Sequence, residues 1–374
     1  MRLLIIGIVI IGVLLALLPH VIYIMVRLVG LAAHFRAGYR PYGIAALVLV
    51  VIWIFAAVYG NVYGRFRHEV KQVQLTFSNL PAGFDGLRIV HISDLHLDGW
   101  TGHEKELQQR VDEINALQPD IICFTGDLVS MSPNELKPFV PILRQLGTNS
   151  PGKRGAVYSV LGNHDYFPYA RIGTRAREAA VKKLIRMERE ELGWTVLLNE
   201  SDIIRRGNDS IAILGCENQS VGAHPVIQRG NLRKTLKSVS SRVQEFKGSS
   251  DNSQCSIGAS SALNSQFPTD SKLYTLNSQL FSLLLTHDPS QWRKEVVPET
   301  DIPLTLSGHT HAMQLRILGF TPSKWIYPEC DGLYTEGNQH LYVNIGLGGT
   351  LPWRIGATPE ITIITLRTTS MGRR

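Results

Sequence analysis

The sequence predicts an α/β protein preceded by two membrane-spanning helices. Three observations predict it: two long apolar runs near the start, an alternation of short apolar runs with helical stretches beyond residue 70, and a polar cluster closing each of five strand-like runs.

The apolar runs come first. Leu3 to Val26 is almost entirely apolar, interrupted by Pro19 and His20, and a second run goes from about Gly43 to Val58 or Tyr63. About 20 helical residues cross the hydrocarbon core, so each is long enough. The first is too long for the core of a cleaved signal peptide, and no small-residue cleavage site follows it cleanly. Tyr42, Tyr59 and Tyr63 suit the membrane interface. Neither span holds a charged residue, which argues for an anchor rather than a channel or sensor. Arg27, Arg36 and Arg40 lie between the spans, while Arg2, the terminal amine, Arg65, Arg67 and Lys71 flank them. Positive-inside counting thus puts both ends, and the domain that follows the spans, in the cytoplasm.

Charge supports the same division into an anchor (1–70) and a second domain (71–374). The net charge is +7 over 374 residues, but residues 1–70 hold six basic side chains against one acidic, leaving 32 basic and 30 acidic beyond. No basic stripe remains to suggest nucleic acid. Cys123, Cys216, Cys255 and Cys330 are widely spaced with no CxxC pair, which argues against a disulfide framework or zinc knuckle. Cys123, within an apolar run, reads as a buried core residue.

Leu87–Ile92, Asp120–Phe124, Ala156–Leu161, Ser282–Leu285 and Leu304–Leu306 read as strands. Between the first two, Leu107, Val111, Ile114 and Leu117 form one apolar face of a helix over Glu104–Gln118, so these strands should be parallel. Arg175–Glu191 reads as a second helix, and further strands are expected at Trp194–Leu198, Ile211–Leu214, Leu341–Ile345 and Ile361–Leu366. The Ser-, Asn- and Gly-rich stretch from about 237 to 277 reads as a flexible surface insertion.

The five strands listed first end in Asp94-Leu95-His96, Gly126-Asp127, Gly162-Asn163-His164-Asp165, His287-Asp288 and Gly308-His309-Thr310-His311. Loops leaving the carboxyl ends of strands converge on one crevice in α/β sheets. One Asp-x-His would be weak; five such clusters in this setting point to a metal site. Mixed imidazole and carboxylate donors suit Mn, Fe, Zn or Co better than Ca. They also outnumber the needs of one four-coordinate ion, so two are expected. A pair about 3.5–4 Å apart can activate water and grip phosphoryl oxygens.

This ordered set resembles the signature of the calcineurin-like metallophosphoesterases over roughly residues 85–367. Gly346-Leu347-Gly348 and Pro359-Glu360-Ile361-Thr362 are similar to its membrane-tethered bacterial branch. The resemblance implies two facing mixed β-sheets flanked by helices. It further implies Asp94, His96 and His311 on one metal, Asn163, His287 and His309 on the other, and Asp127 bridging. His164 would contact the phosphate or protonate the leaving oxygen, with Asp165 orienting its ring. Ala312-Met313 departs from the paired glycines of many relatives. The implied activity is hydrolysis of a phosphate ester or pyrophosphate, and the anchor suggests an envelope or lipid-linked substrate; cleavage of UDP-2,3-diacylglucosamine is one alternative, and a non-catalytic metal-binding scaffold another. Of the remaining candidates, His91 reads as a core histidine, Asp98 and Trp100 as pocket or surface residues, Asp288 as a loop-fixing residue, His224 and His340 as structural, and Glu217-Asn218 as a neighbouring loop that could approach the site.

Overall fold

Two six-stranded sheets face each other in the computed structural model, which describes residues 2–148, 156–221, 227–248 and 280–369. The chain opens with α1 (Arg2–Ala32) and α2 (Arg40–Tyr59), the latter continued by a π-helical turn, Gly60–Gly64. There follow β1 (Glu69–Phe77), β2 (Arg88–Ile92), α3 (Glu104–Ala116), β3 (Ile121–Phe124), the short α4 (Val140–Leu143) and β4 (Ala156–Ser159). Next come α5 (Thr174–Arg186), β5 (Thr195–Val196), β6 (Glu200–Arg206), β7 (Asp209–Gly215) and α6 (Leu232–Gly248). The chain then forms β8 (Phe281–Leu285), the short α7 (Val297–Glu299), β9 (Leu304–Ser307), β10 (Gly332–Glu336), β11 (Gln339–Val343) and β12 (Glu360–Thr368).

The first sheet has the order β1-β12-β2-β3-β4-β5 and the second β10-β11-β9-β8-β7-β6. As expected from the helix between them, β2 and β3 are parallel, with Ile89 opposite Ile121. Both sheets are mixed, since β12 runs antiparallel to β2 and β6 antiparallel to β7. Ile89, Ile121 and Val160 of the first sheet meet Ile213, Leu283 and Leu306 of the second in a buried layer. Leu107, Val111 and Ile114 of α3 cover the outer face of the first sheet, and Leu232, Leu236 and Val239 of α6 that of the second. These inner apolar runs are what stack the molecule into four layers. Truncating one such leucine or isoleucine to alanine typically costs about 2–5 kcal/mol.

Two local expectations change. Residues 237–248, expected to begin a flexible insertion, continue α6, because Leu232, Leu236 and Val239 recur at helical spacing and bury one face. Residues 249–277 of that stretch, and His224, lie outside the described residues. The strand expected over Trp194–Leu198 is only two residues long.

The two N-terminal helices are long and apolar enough to cross a membrane. They pair with each other, Tyr23 lying 5.3 Å from both Tyr39 and Tyr42 between ring centroids. Their other faces are bare: Leu28, Leu47 and Phe55 are 62%, 65% and 72% exposed. A helix belonging to a soluble core would bury that stripe, so α1 and α2 associate with a membrane.

One buried acid makes stability depend on pH. Glu188 is buried beneath the first sheet, and burial raises its carboxyl to about 7, although the Ser159 hydroxyl donates to it at 2.7 Å. The folded-state value lies above the ordinary 4.5, so the protonated acid is favoured on folding. Its contribution is fully present below pH 4.5 and is lost as pH rises through 7. Glu188→Gln, which mimics the protonated form, should therefore gain about 3 kcal/mol over wild type at pH 8 and almost nothing at pH 4.5. Thermal melts at both pH values check this; parallel melting of the two proteins at pH 8 would refute it.

Candidate metal centre

All five polar clusters meet at one end of the two sheets. The first sheet delivers Asp94 and His96 after β2, Asp127 after β3, and Asn163 and His164 after β4; the second delivers His287 after β8 and His309 and His311 after β9. Their donor atoms form overlapping groups. Asp94, His96 and His311 make one, Asp127, His287 and His309 another, and His96, Asp127 and His164 a third.

The distances define the arrangement. His311 Nε2 is 3.4 Å from Asp94 Oδ1 and 3.2 Å from His96 Nε2. Asp127 Oδ2 sits 3.5 Å from His96 Nε2 and 3.2 Å from His287 Nε2, between the two groups. Asn163 Oδ1 and His309 Nδ1 each lie 3.2 Å from His287 Nε2. The His287 ring is aimed by its other nitrogen, Nδ1, which donates to the Thr125 carbonyl at 2.6 Å and leaves Nε2 for the centre.

The backbone here is forced. Asp94, His96, Asp127, His309 and His311 all have φ between 46° and 76°, in the left-handed region that non-glycine residues seldom occupy. Such strain gathers where surrounding structure holds side chains to a task. Gly126, at φ 95°, takes its turn without that cost, and a Cβ on Gly308 would collide with the Ser93 hydroxyl. Ala312 and Met313 both have φ 49°, in the region that favours glycine. The chain therefore keeps a glycine-like path there, with a side chain added: Met313 lines the cleft.

The electrostatics fit bound cations. Asp94 is fully buried, and its Oδ1 accepts no hydrogen bond from any described residue, while its Oδ2 accepts the His309 N–H at 3.0 Å. Burial raises the Asp94 carboxyl to about 6. Burial opposes ionisation of Asp127 as well, but His287, His164 and His96 outweigh it and hold that carboxyl well below its ordinary range. His287, lowered by burial, is raised to about 10 by Asp127 and Asp94. These two carboxylates thus demand positive charge between them. Burial brings His96 down to about 3 and His311 well below its ordinary value, leaving neutral imidazoles ready to donate lone pairs. Two carboxylates, an amide oxygen and four imidazoles form a donor set suited to a pair of borderline divalent ions.

Asp165 does not orient the His164 ring as the resemblance implied. Its buried carboxylate accepts backbone N–H groups from Asp127 at 2.8 Å, Val129 at 3.1 Å and Gly162 at 2.9 Å. It ties the β3 and β4 loops together, because three inward-facing amides compete for it more closely than any ring nitrogen. The His164 ring instead donates from Nδ1 to the Ser130 carbonyl at 3.1 Å, and its backbone N–H donates to Asp127 Oδ1 at 2.8 Å.

Three residues emerge that sequence reasoning missed. The Tyr327 hydroxyl lies 2.7 Å from His309 Nε2, and the Tyr169 ring lies tilted against that of His164, 4.7 Å between centroids. Arg354 is buried and donates to the carbonyls of Ile345 at 2.7 Å, Gly346 at 3.2 Å and Ala357 at 3.0 Å, with Nη2 3.3 Å from His311 Nδ1. Its nearness to the Gly346-Leu347-Gly348 motif was the available signal. His91 is a core histidine, 2.9 Å from the Thr125 hydroxyl and lowered to about 3 by burial. Trp100 is buried, its indole N–H donating to the Leu95 carbonyl at 2.9 Å, and Asp98 is exposed. Asp288 fixes its loop by accepting the Ser290 N–H at 2.9 Å. Glu217 accepts from the Tyr166 hydroxyl at 2.8 Å, tying loops together. A cleft of about 380 Å³ opens over these donors, walled by His164, Tyr169, Met313, Ile326, Tyr327 and Leu351.

Facing mixed sheets with this donor set at their shared end define a metal-dependent phosphoesterase. The chain belongs to the calcineurin-like phosphoesterase family, whose model matches residues 87–313. It is 30% identical over 328 residues to the Bacillus subtilis metallophosphoesterase YkuE, covering 83% of this chain and 92% of YkuE. A Danio rerio transmembrane protein with a metallophosphoesterase domain is 28% identical over 86% of this chain, which spans 62% of that relative. The Chlamydia trachomatis UDP-2,3-diacylglucosamine pyrophosphatase LpxG is 26% identical, over 76% of this chain and 86% of LpxG.

Proposed function

We propose that this protein hydrolyses a phosphate ester or pyrophosphate of a lipid-linked or envelope substrate at a bacterial cell membrane, with its catalytic domain on the cytoplasmic side. The observation that carries this reading is the cleft over seven converging donors in a domain joined directly to α2. Asp94, His96 and His311 would hold one divalent ion, Asn163, His287 and His309 the other, with Asp127 placed to serve both. Such ions supply Lewis acidity toward phosphoryl oxygens and lower the pKa of water. The protein's own groups do the rest. Asn163 contributes a neutral oxygen, which spares the centre a further negative charge. The Ser130 carbonyl can only accept, so His164 keeps its proton on Nδ1 and turns Nε2 to the substrate. From there an imidazolium donates its second proton to the departing oxygen. The Tyr169 ring, tilted against that of His164 with centroids 4.7 Å apart, restricts its rotation.

A narrower reading, cleavage of UDP-2,3-diacylglucosamine, is supported by the likeness to LpxG. The test is purified protein in lipid nanodiscs, with metal content measured by elemental analysis, assayed on a chromogenic phosphodiester and on the acylated sugar nucleotide. Chelator-sensitive hydrolysis is expected. Preference for the acylated nucleotide favours the narrower reading, and indifference to it the broader. Metal-loaded protein that cleaves no mono-, di- or pyrophosphate ester would leave a non-catalytic scaffold.

A further inference from the structure

The metal end of the sheets is also the end at which α2 arrives. β12 runs antiparallel to β2, with Thr362 opposite His91 shortly before Asp94, and β1 begins at Glu69 opposite Glu360. The chain therefore enters the first sheet beside the centre. Loop 346–357, which borders the centre, is fastened to the helix end. Arg354 N–H donates to the Gly60 carbonyl at 3.0 Å, and the Asn61 side chain donates to the Pro352 carbonyl at 2.6 Å. The Trp353 indole lies so close to Gly60 that a Cβ there would come within 2.6 Å of it, and its ring sits 6.2 Å from Trp53 of α2. Trp53 is inside the candidate span Arg40–Gly64, about 16 Å along the helix from Gly64. A loop of the catalytic domain thus reaches the depth of an intramembrane residue.

A second loop is sewn to the first. Leu315 bridges Ile355, Arg316 N–H donates to the Ile355 carbonyl at 2.8 Å, and Ile355 N–H donates to the Gln314 carbonyl at 3.0 Å. Beyond this seam the chain turns back on itself, Ile317 and Phe320 exchanging backbone hydrogen bonds at 2.9 Å. At its tip Ile317, Leu318, Phe320 and Trp325 are 59%, 102%, 45% and 79% exposed, with the Phe320 and Trp325 rings 5.3 Å apart. The loop returns through Ile326 and Tyr327, which wall the cleft, and Tyr327 touches His309.

We propose that residues 315–326 form a wedge inserted into the lipid leaflet from which α2 emerges, so that the cleft opens onto the bilayer surface. Lipid is the occupant because the patch continues the contact already made by Trp353 with α2, and because aromatic and aliphatic side chains clustered at a membrane boundary partition into it. The wedge does not depend on which phosphoester is cleaved.

The test uses the full chain in liposomes. Leu318→Cys is labelled with a polarity-sensitive fluorophore, and Asn208→Cys, in the exposed turn at the opposite end of β7, is the control. Cys123, Cys216 and Cys330 are buried, and Cys255 is replaced by Ser in both proteins. Because Leu318 touches solvent on all sides, the change leaves the fold unburdened. Phospholipids carrying nitroxides on their acyl chains should quench the label at 318 at least threefold more than that at 208. Equal quenching overturns the wedge. So does a label with shifted emission that lipid nitroxides fail to quench, which would mean that protein, such as a second copy, covers the tip.

Discussion

Asp127→Asn should leave the protein with at most one bound ion per chain and with activity reduced beyond the roughly 10–100-fold expected for losing an outer partner of a metal ligand. The carboxylate stands between the two donor groups, 3.5 Å from His96 Nε2 and 3.2 Å from His287 Nε2. The three histidines around it keep it anionic despite its burial. Asparagine preserves the shape, and its oxygen can still accept the His164 N–H that Asp127 Oδ1 accepts at 2.8 Å. What it removes is charge. Elemental analysis beside a phosphodiester assay measures both effects, and a variant keeping two ions and full turnover would exclude Asp127 as their bridge.

His164→Ala should separate metal binding from turnover. The ring projects into the cleft, held by the Ser130 carbonyl rather than by a carboxylate. Loss of a proton donor of this kind typically costs about 10²–10⁴-fold in rate. Metal content should stay near wild type, since the remaining donors of both groups are untouched. The deficit should shrink for substrates whose leaving group is already a good one, such as nitrophenolate, because less protonation is needed there. A deficit equal for good and poor leaving groups would contradict proton donation, and unchanged activity would remove His164 from the reaction.

The inner strands were legible because each is an apolar run buried on both faces, as in β3, β8 and β9. The strands that escaped, β1, β6 and β10, all lie at sheet edges, where one side is solvated and the apolar signal thins. The donors were legible for a different reason. Asp94, His96, Asp127, Asn163, His287, His309 and His311 each follow a readable strand, and topology carries such positions to one crevice. Relations between loops were not. That Asp165 collects three backbone amides, or that Tyr327 meets His309 and Arg354 gathers the glycine loop, depends on approaches between segments whose local patterns say nothing of each other. The facing of the two sheets came from the family resemblance rather than from periodicity.

The place of β12 sets a timetable for this molecule's birth. It is the last of the described strands to be synthesised, yet it lies between β1 and β2, the first two. Until it arrives, the earliest part of the sheet carries an unfilled slot, so this sheet is completed only when nearly every described residue has been translated. A nascent chain whose first helices had already reached the bilayer would thus finish its first sheet only at the close of its own production.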